Sequence, residues 1–126
     1  MNTVSEPSNG FLLASAVGLI AGNVLAVVAP LAGDAPQAFV GSLVASGLFG
    51  FVFTVRTLQL LRSTGAVSLA AATLSTIFGG WYMIAPLLYG TETVGFVATA
   101  GTQFAGLVVA AFGLYLVVDG LTTTAQ

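Results

Sequence analysis

Six side chains carry charge: Glu6, Asp34, Arg56, Arg62, Glu92 and Asp119. A carboxylate metal site needs several convergent oxygens. The four acids are far apart in the chain, and none interrupts an apolar run. There is no His, no Cys and no Lys. Imidazole and thiolate metal ligation, Ser–His and Cys–His catalysis and Schiff-base chemistry therefore have no residues to work with. Axial ligation of a redox cofactor has only Met1 and Met83 to offer. The expectation is a protein that is not an enzyme and holds no metal or cofactor. Two basic residues and a net charge of −2 leave no electrostatic footprint for nucleic acid.

The remaining candidates are two amides, Asn23 and Gln103, each near the middle of a long apolar run. An unpaired amide in hydrocarbon costs several kcal/mol. Both are therefore expected to face the protein interior, with each other, a backbone group or a partner subunit as available partners. Such a contact acts as interhelical glue worth about 1 kcal/mol; a site for a polar solute is the lesser reading. Ser15, Ser75, Thr76, Thr99 and Thr102 are also at membrane depth, and each can bond back to its own helix. No ionisable group lies at that depth, which argues against an ion- or proton-coupled exporter.

The elements that position these residues follow from composition. The chain has 126 residues, 57% hydrophobic and only 5% charged, with a mean hydropathy of +1.06. A soluble domain carries roughly a quarter charged residues, so this composition is that of an integral membrane protein. A bilayer core of about 30 Å needs about 20 apolar residues in helix. Four such runs are present, at about 11–31, 38–61, 66–89 and 94–118. Their breaks hold Gly together with a charge: Gly33-Asp34, Arg62 to Gly65, and Gly90 to Glu92. Transmembrane strands would alternate polar and apolar residues over about 10 positions; these runs are continuously apolar, so helices are predicted. Residues 1–10 read as a polar cytoplasmic tail, 11–63 as a first transmembrane hairpin, 64–119 as a second, and 120–126 as a polar tail. The first run is too long for a signal h-region, so no cleaved signal is expected.

Arg56 and Arg62 both fall at the junction of the second and third spans. As topology anchors they place the 62–65 loop and both termini in the cytoplasm, and the 32–37 and 90–93 loops outside. Asp34 and Glu92 then mark the two outer loops, solvated and at most a weak acidic mouth.

An internal repeat is also visible. Pro30 and Pro86 are 56 residues apart, in Ala29-Pro30-Leu31 and Ala85-Pro86-Leu87. Leu13-Ala14 recurs as Leu69-Ala70, and Phe39-Val40 as Phe96-Val97 after one inserted residue. Each repeat holds two spans, so the copies share one orientation and are related by an axis along the membrane normal. The fold expected is an all-α integral membrane protein of four transmembrane helices in two tandem, parallel-related hairpins. Both prolines are expected to kink or end their helices.

The segment Gly79-Gly80-Trp81 to Ala85-Pro86-Leu87 resembles the SPW-repeat family, whose two-helix membrane unit carries Gly-x-Trp and then Ser-Pro-Trp. Ala85 and Ala29 stand in place of the motif Ser, and Leu87 and Leu31 in place of the motif Trp. Pro30, Trp81 and Pro86 are the repeat-motif residues. The resemblance implies a small integral membrane protein with no established catalytic role.

Every span carries a stripe of small residues: Ala14-Gly18-Gly22-Ala26, Ser42-Ser46-Gly50, Ala71-Ser75-Gly79 and Ala98-Thr102-Gly106-Ala110. Such stripes let backbones approach closely in lipid. Phe49, Phe51, Phe53, Phe78, Phe104 and Phe112 are left to fill gaps or face lipid. Trp81, Tyr82 and Tyr89 read as an aromatic belt at the outer interface. The function expected is a structural component or small accessory subunit of a membrane assembly, with the lipid bilayer and either further copies or other membrane subunits as partners. The alternative is an oligomeric passive channel or transporter for a small neutral or lipid-like solute.

Overall fold

The computed structural model describes the backbone of residues 2–125 and the side chains of residues 10–122. Met1 and Gln126, at the ends of the two polar tails, lie outside the described residues. The chain forms α1 (Asn2–Val28), a 3₁₀ turn (Ala29–Leu31), α2 (Gln37–Thr64), α3 (Leu69–Tyr89), the single turn α4 (Thr91–Val94) and α5 (Phe96–Ala125). Four segments are long and apolar enough to cross a membrane: Gly10–Leu31, Gln37–Thr64, Leu69–Tyr89 and Phe96–Thr122. The fold is all-α, as the apolar runs require. Both polar tails continue the helices next to them, so α1 and α5 extend past the apolar stretches that predict them.

The helix ends have local causes. Pro30 lies in the 3₁₀ turn after α1, where a missing N–H and a fixed φ end a regular helix. α2 stops at Gly65, which takes φ +74° and donates its N–H to the Leu61 carbonyl at 2.9 Å. A left-handed residue of this kind is nearly always glycine. The Ser68 hydroxyl accepts the Ala71 N–H at 3.3 Å and caps α3. Pro86 does not end its helix: it lies inside α3, which continues to Tyr89 before Gly90 turns the chain at φ +89°. The two repeat-motif prolines thus have different roles.

The helices pack in a ring, α1 beside α2, α2 beside α3, α3 beside α5, and α5 beside α1. Small residues set the close approaches. A Cβ on Gly79 would lie 2.5 Å from the Ala110 amide nitrogen, and one on Gly106 would lie 2.6 Å from the Gly79 carbonyl. α3 and α5 therefore touch backbone to backbone. A Cβ on Gly47 would lie 2.5 Å from Val27, and one on Gly22 would lie 2.6 Å from Val109. Those glycines seat α2 and α5 on opposite flanks of α1. Phe49 and Phe104 point outward, 62% and 59% exposed. Phe53 and Phe78 stack between α2 and α3 at 5.9 Å.

The matched phenylalanines of the repeat differ in surroundings. Phe39 is fully buried and meets Tyr89 edge-on at 5.4 Å, whereas Phe96 is 84% exposed. Tyr82 also departs from expectation. It is fully buried among the helices and takes no part in an interfacial belt.

Candidate functional site

Asn23 lies two turns before Pro30, on the α1 face that the Leu19, Ala26 and Asn23 spacing turns into the core. The side chain is completely buried. Its Nδ2 donates to the Leu19 carbonyl one turn earlier at 2.9 Å. Its Oδ1 accepts from the Tyr82 hydroxyl of α3 at 2.5 Å. This bond runs across the ring, between two helices that are not neighbours.

α2 closes the junction from the side. The Ser46 carbonyl lies 3.2 Å from the Tyr82 hydroxyl. The Ser46 hydroxyl donates to the Ser42 carbonyl at 2.7 Å and accepts from the Trp81 indole Nε1 at 3.1 Å. Gly50, one turn on, has no side chain for a reason: a Cβ there would overlap Asn23 Oδ1 and come within 2.8 Å of the Tyr82 hydroxyl. The small residue that permits helix approach is also the space the polar pair occupies.

Gln103 approaches the same turn from α5. It is half-buried, and its Nε2 donates to the Met83 carbonyl at 3.2 Å. Pro86 has no N–H to give the Tyr82 carbonyl one turn back, so this stretch of α3 has less internal bonding than a regular helix. The Gln103 bond falls on the next carbonyl, that of Met83, and not on the one that Pro86 leaves without a donor. Asn23 and Gln103 do not meet. They grip successive residues of α3, Tyr82 and Met83, while Ser46 holds Trp81. Three consecutive residues of one turn thereby reach α2, α1 and α5.

Sequence reading identified Asn23 and Gln103 as interhelical contacts, placed Trp81 with Tyr82 in an aromatic belt, and missed the roles of Trp81, Tyr82, Ser46 and Gly50 at this junction. The available signal was the Ser42-Ser46-Gly50 stripe. A stripe holding two hydroxyls and then a glycine offers both a polar partner and room for one.

The hydroxyls elsewhere in the spans differ in how they are satisfied. Thr54, Thr57 and Thr76 bond back to carbonyls of their own helices at 2.8, 3.0 and 2.9 Å. Ser75, Thr99 and Thr102, expected to do the same, have buried hydroxyls without a partner. Asp34 and Glu92 line one surface depression of about 270 Å³ with Gly33 and residues 93–98. Among the described residues no three acids come together there or elsewhere. Arg56 and Arg62 are exposed on the last turns of α2. Chemically, the junction is a set of neutral donors and acceptors that satisfy one another. Compared with family models, curated proteins and solved structures, the chain matches none of them.

Proposed function

We propose that the chain is a non-enzymatic multi-pass membrane protein, serving as a structural component or small accessory subunit of a membrane assembly. The observation that carries this reading is the convergence of Asn23, Ser46 and Gln103 on the Trp81–Met83 turn. The membrane-depth amides join helices rather than line a passage. The proposed orientation puts both termini and the 62–65 loop in the cytoplasm. The tandem-hairpin repeat and the SPW-repeat resemblance belong to the same reading. The ring order is compatible with the repeat, since an axis along the bundle would exchange α1 with α3 and α2 with α5; the resemblance rests on residues 79–87 alone.

The test is native mass spectrometry of the protein extracted gently from its own membranes. A stoichiometric partner subunit is expected; a homo-oligomer would turn attention to lipid binding and flux. A lone monomer under conditions that preserve other complexes would overturn the assembly role.

A second reading, the oligomeric passive channel, is favoured by the unpartnered buried hydroxyls of Ser75 and Thr102. Water or a small neutral solute would satisfy them. Solute flux into liposomes that Asn23→Leu abolishes would favour it, and vesicles that stay tight would count against it.

A further inference from the structure

Arg56 occupies an unusual place for a charge. It lies eight residues before the end of α2, about 12 Å along the helix axis at 1.5 Å per residue, and it is exposed on the outside of the bundle. α2 is about 42 Å long at 1.5 Å per residue, against a hydrocarbon core of about 30 Å, so Arg56 falls at the edge of the core, where a cation takes a counter-charge or the lipid head groups. The described acids supply none. Asp34 and Glu92 are at the other end of the bundle, and Asp119 is on α5, the helix diagonal to α2. Gln59 is one turn further toward the interface, also exposed.

Arg56 and Gln59 are not on a flat surface. With Phe51, Val52 and Val55 they line a groove of about 330 Å³ on the outer face of α2. Its polar end points to the α2–α3 loop, and its apolar end runs toward the middle of the span. That order of chemistry, charge near the interface and hydrocarbon below it, matches one phospholipid molecule. A guanidinium presents a planar fork of donors that fits a phosphate bidentately, and the Gln59 amide adds a neutral donor. Phe51, Val52 and Val55 would lie along an acyl chain. The two arginines of the chain, Arg56 and Arg62, are both at this end of α2, and Arg56 is the one that lines the groove.

We infer that the α2 groove at Arg56 and Gln59 is a binding site for one anionic phospholipid, its phosphate on Arg56 and an acyl chain along Phe51, Val52 and Val55. The inference rests on the membrane reading but on no particular function.

The test is native mass spectrometry of the full chain in nanodiscs or mild detergent, titrated with phosphatidylglycerol and with phosphatidylcholine. One phosphatidylglycerol per chain should be retained in preference to phosphatidylcholine by about fivefold, the effect of one basic residue near an anionic lipid surface. Arg56→Gln should lose that preference, Arg56→Lys should keep part of it, and Arg62→Gln should keep most of it. Equal retention of the two lipids by the wild-type chain would overturn the site, whether or not any variant folds. Equal losses in Arg56→Gln and Arg62→Gln would also overturn it, because they would indicate diffuse surface attraction. Displacement of the lipid by millimolar inorganic phosphate would point to a bare anion site and reject the acyl groove. Loss of a stoichiometric protein partner, and not of lipid, in Arg56→Gln would reassign the groove to an acidic subunit. Failure of the wild-type chain to enter detergent or vesicles would instead sink the membrane reading itself.

Discussion

The Tyr82 hydroxyl has one proton and two acceptors within reach, Asn23 Oδ1 at 2.5 Å and the Ser46 carbonyl at 3.2 Å. The shorter bond takes the proton, and the second acceptor decides what a mutation does. In Asn23→Leu the hydroxyl can turn to the Ser46 carbonyl, so part of the loss is recovered. In Tyr82→Phe the Asn23 oxygen is left buried with no donor, and an unsatisfied buried acceptor costs more than a lost bond. Tyr82→Phe should therefore destabilise the bundle more than Asn23→Leu after allowance for side-chain volume. A double-mutant cycle of the two, read by reversible denaturation in bicelles, should give a coupling of roughly 0.6–1.7 kcal/mol, the range for such bonds inside membranes. Additive effects would dismiss the bond as a determinant of stability. Asn23 was legible in the sequence because an amide in an apolar run has to find a partner. Tyr82 was not, because an aromatic residue one turn before a proline near the end of a span fits an interfacial belt equally well. Its real partner is 59 residues away in the chain, a separation that no local pattern encodes.

Adjacent residues of one helix can have opposite needs, and α3 holds a clear case. Gly79 faces α5, where a Cβ would strike the backbone of Ala110; Gly80 faces open space, with nothing within 4 Å. Gly79→Ala must push α3 and α5 apart, and overpacking of this kind typically costs about 1–3 kcal/mol. Gly80→Ala adds no clash and removes the conformational freedom that makes glycine poor in a helix, a gain of roughly 0.5–1 kcal/mol. Thermal unfolding of the two single variants should therefore shift in opposite directions. Shifts of the same sign would mean that α3 and α5 do not meet at Gly79. The small-residue stripes were legible at this scale because the four-residue spacing brings them onto one side of a helix. The helices themselves were legible from length and hydropathy. Their ends were less so, since polar residues at 2–9 and 119–125 can continue a helix beyond the apolar stretch that reveals it. Pro30 and Pro86 looked equivalent in sequence. The difference lies in the residues C-terminal to each: Gly33-Asp34 and Pro36 end the helical run after the first, whereas Leu87-Leu88-Tyr89 sustains α3 after the second.

For the molecule as a whole, the ring of helices sets which surfaces share an end. The α2–α3 connection lies at one end with both termini, and the α1–α2 connection and α4 lie at the other, because four spans joined by short connections must alternate in direction. The shared depression lined by Asp34 and Glu92 is consistent with that arrangement. Hydropathy fixes the alternation but not its sign, which depends here on two arginines, both at the α2–α3 end. The positive-inside rule therefore makes a definite prediction: that end faces the cytoplasm. The chain has no cysteine, so single replacements report without background. Ser63→Cys at the α2–α3 end, and Asp34→Cys and Thr93→Cys at the other, all fall at exposed positions. A membrane-impermeant maleimide added to intact cells should label Asp34→Cys and Thr93→Cys and leave Ser63→Cys unlabelled until the membrane is opened. The reverse pattern would invert the topology and place the Arg56 groove in the outer leaflet. Labelling of Asp34→Cys and Thr93→Cys from opposite sides would break the alternation itself, and with it the four-span fold. Replacing Arg56 and Arg62 together by Gln removes the cations that set the sign. A mixed labelling pattern in that variant would identify those two residues as what orients the bundle.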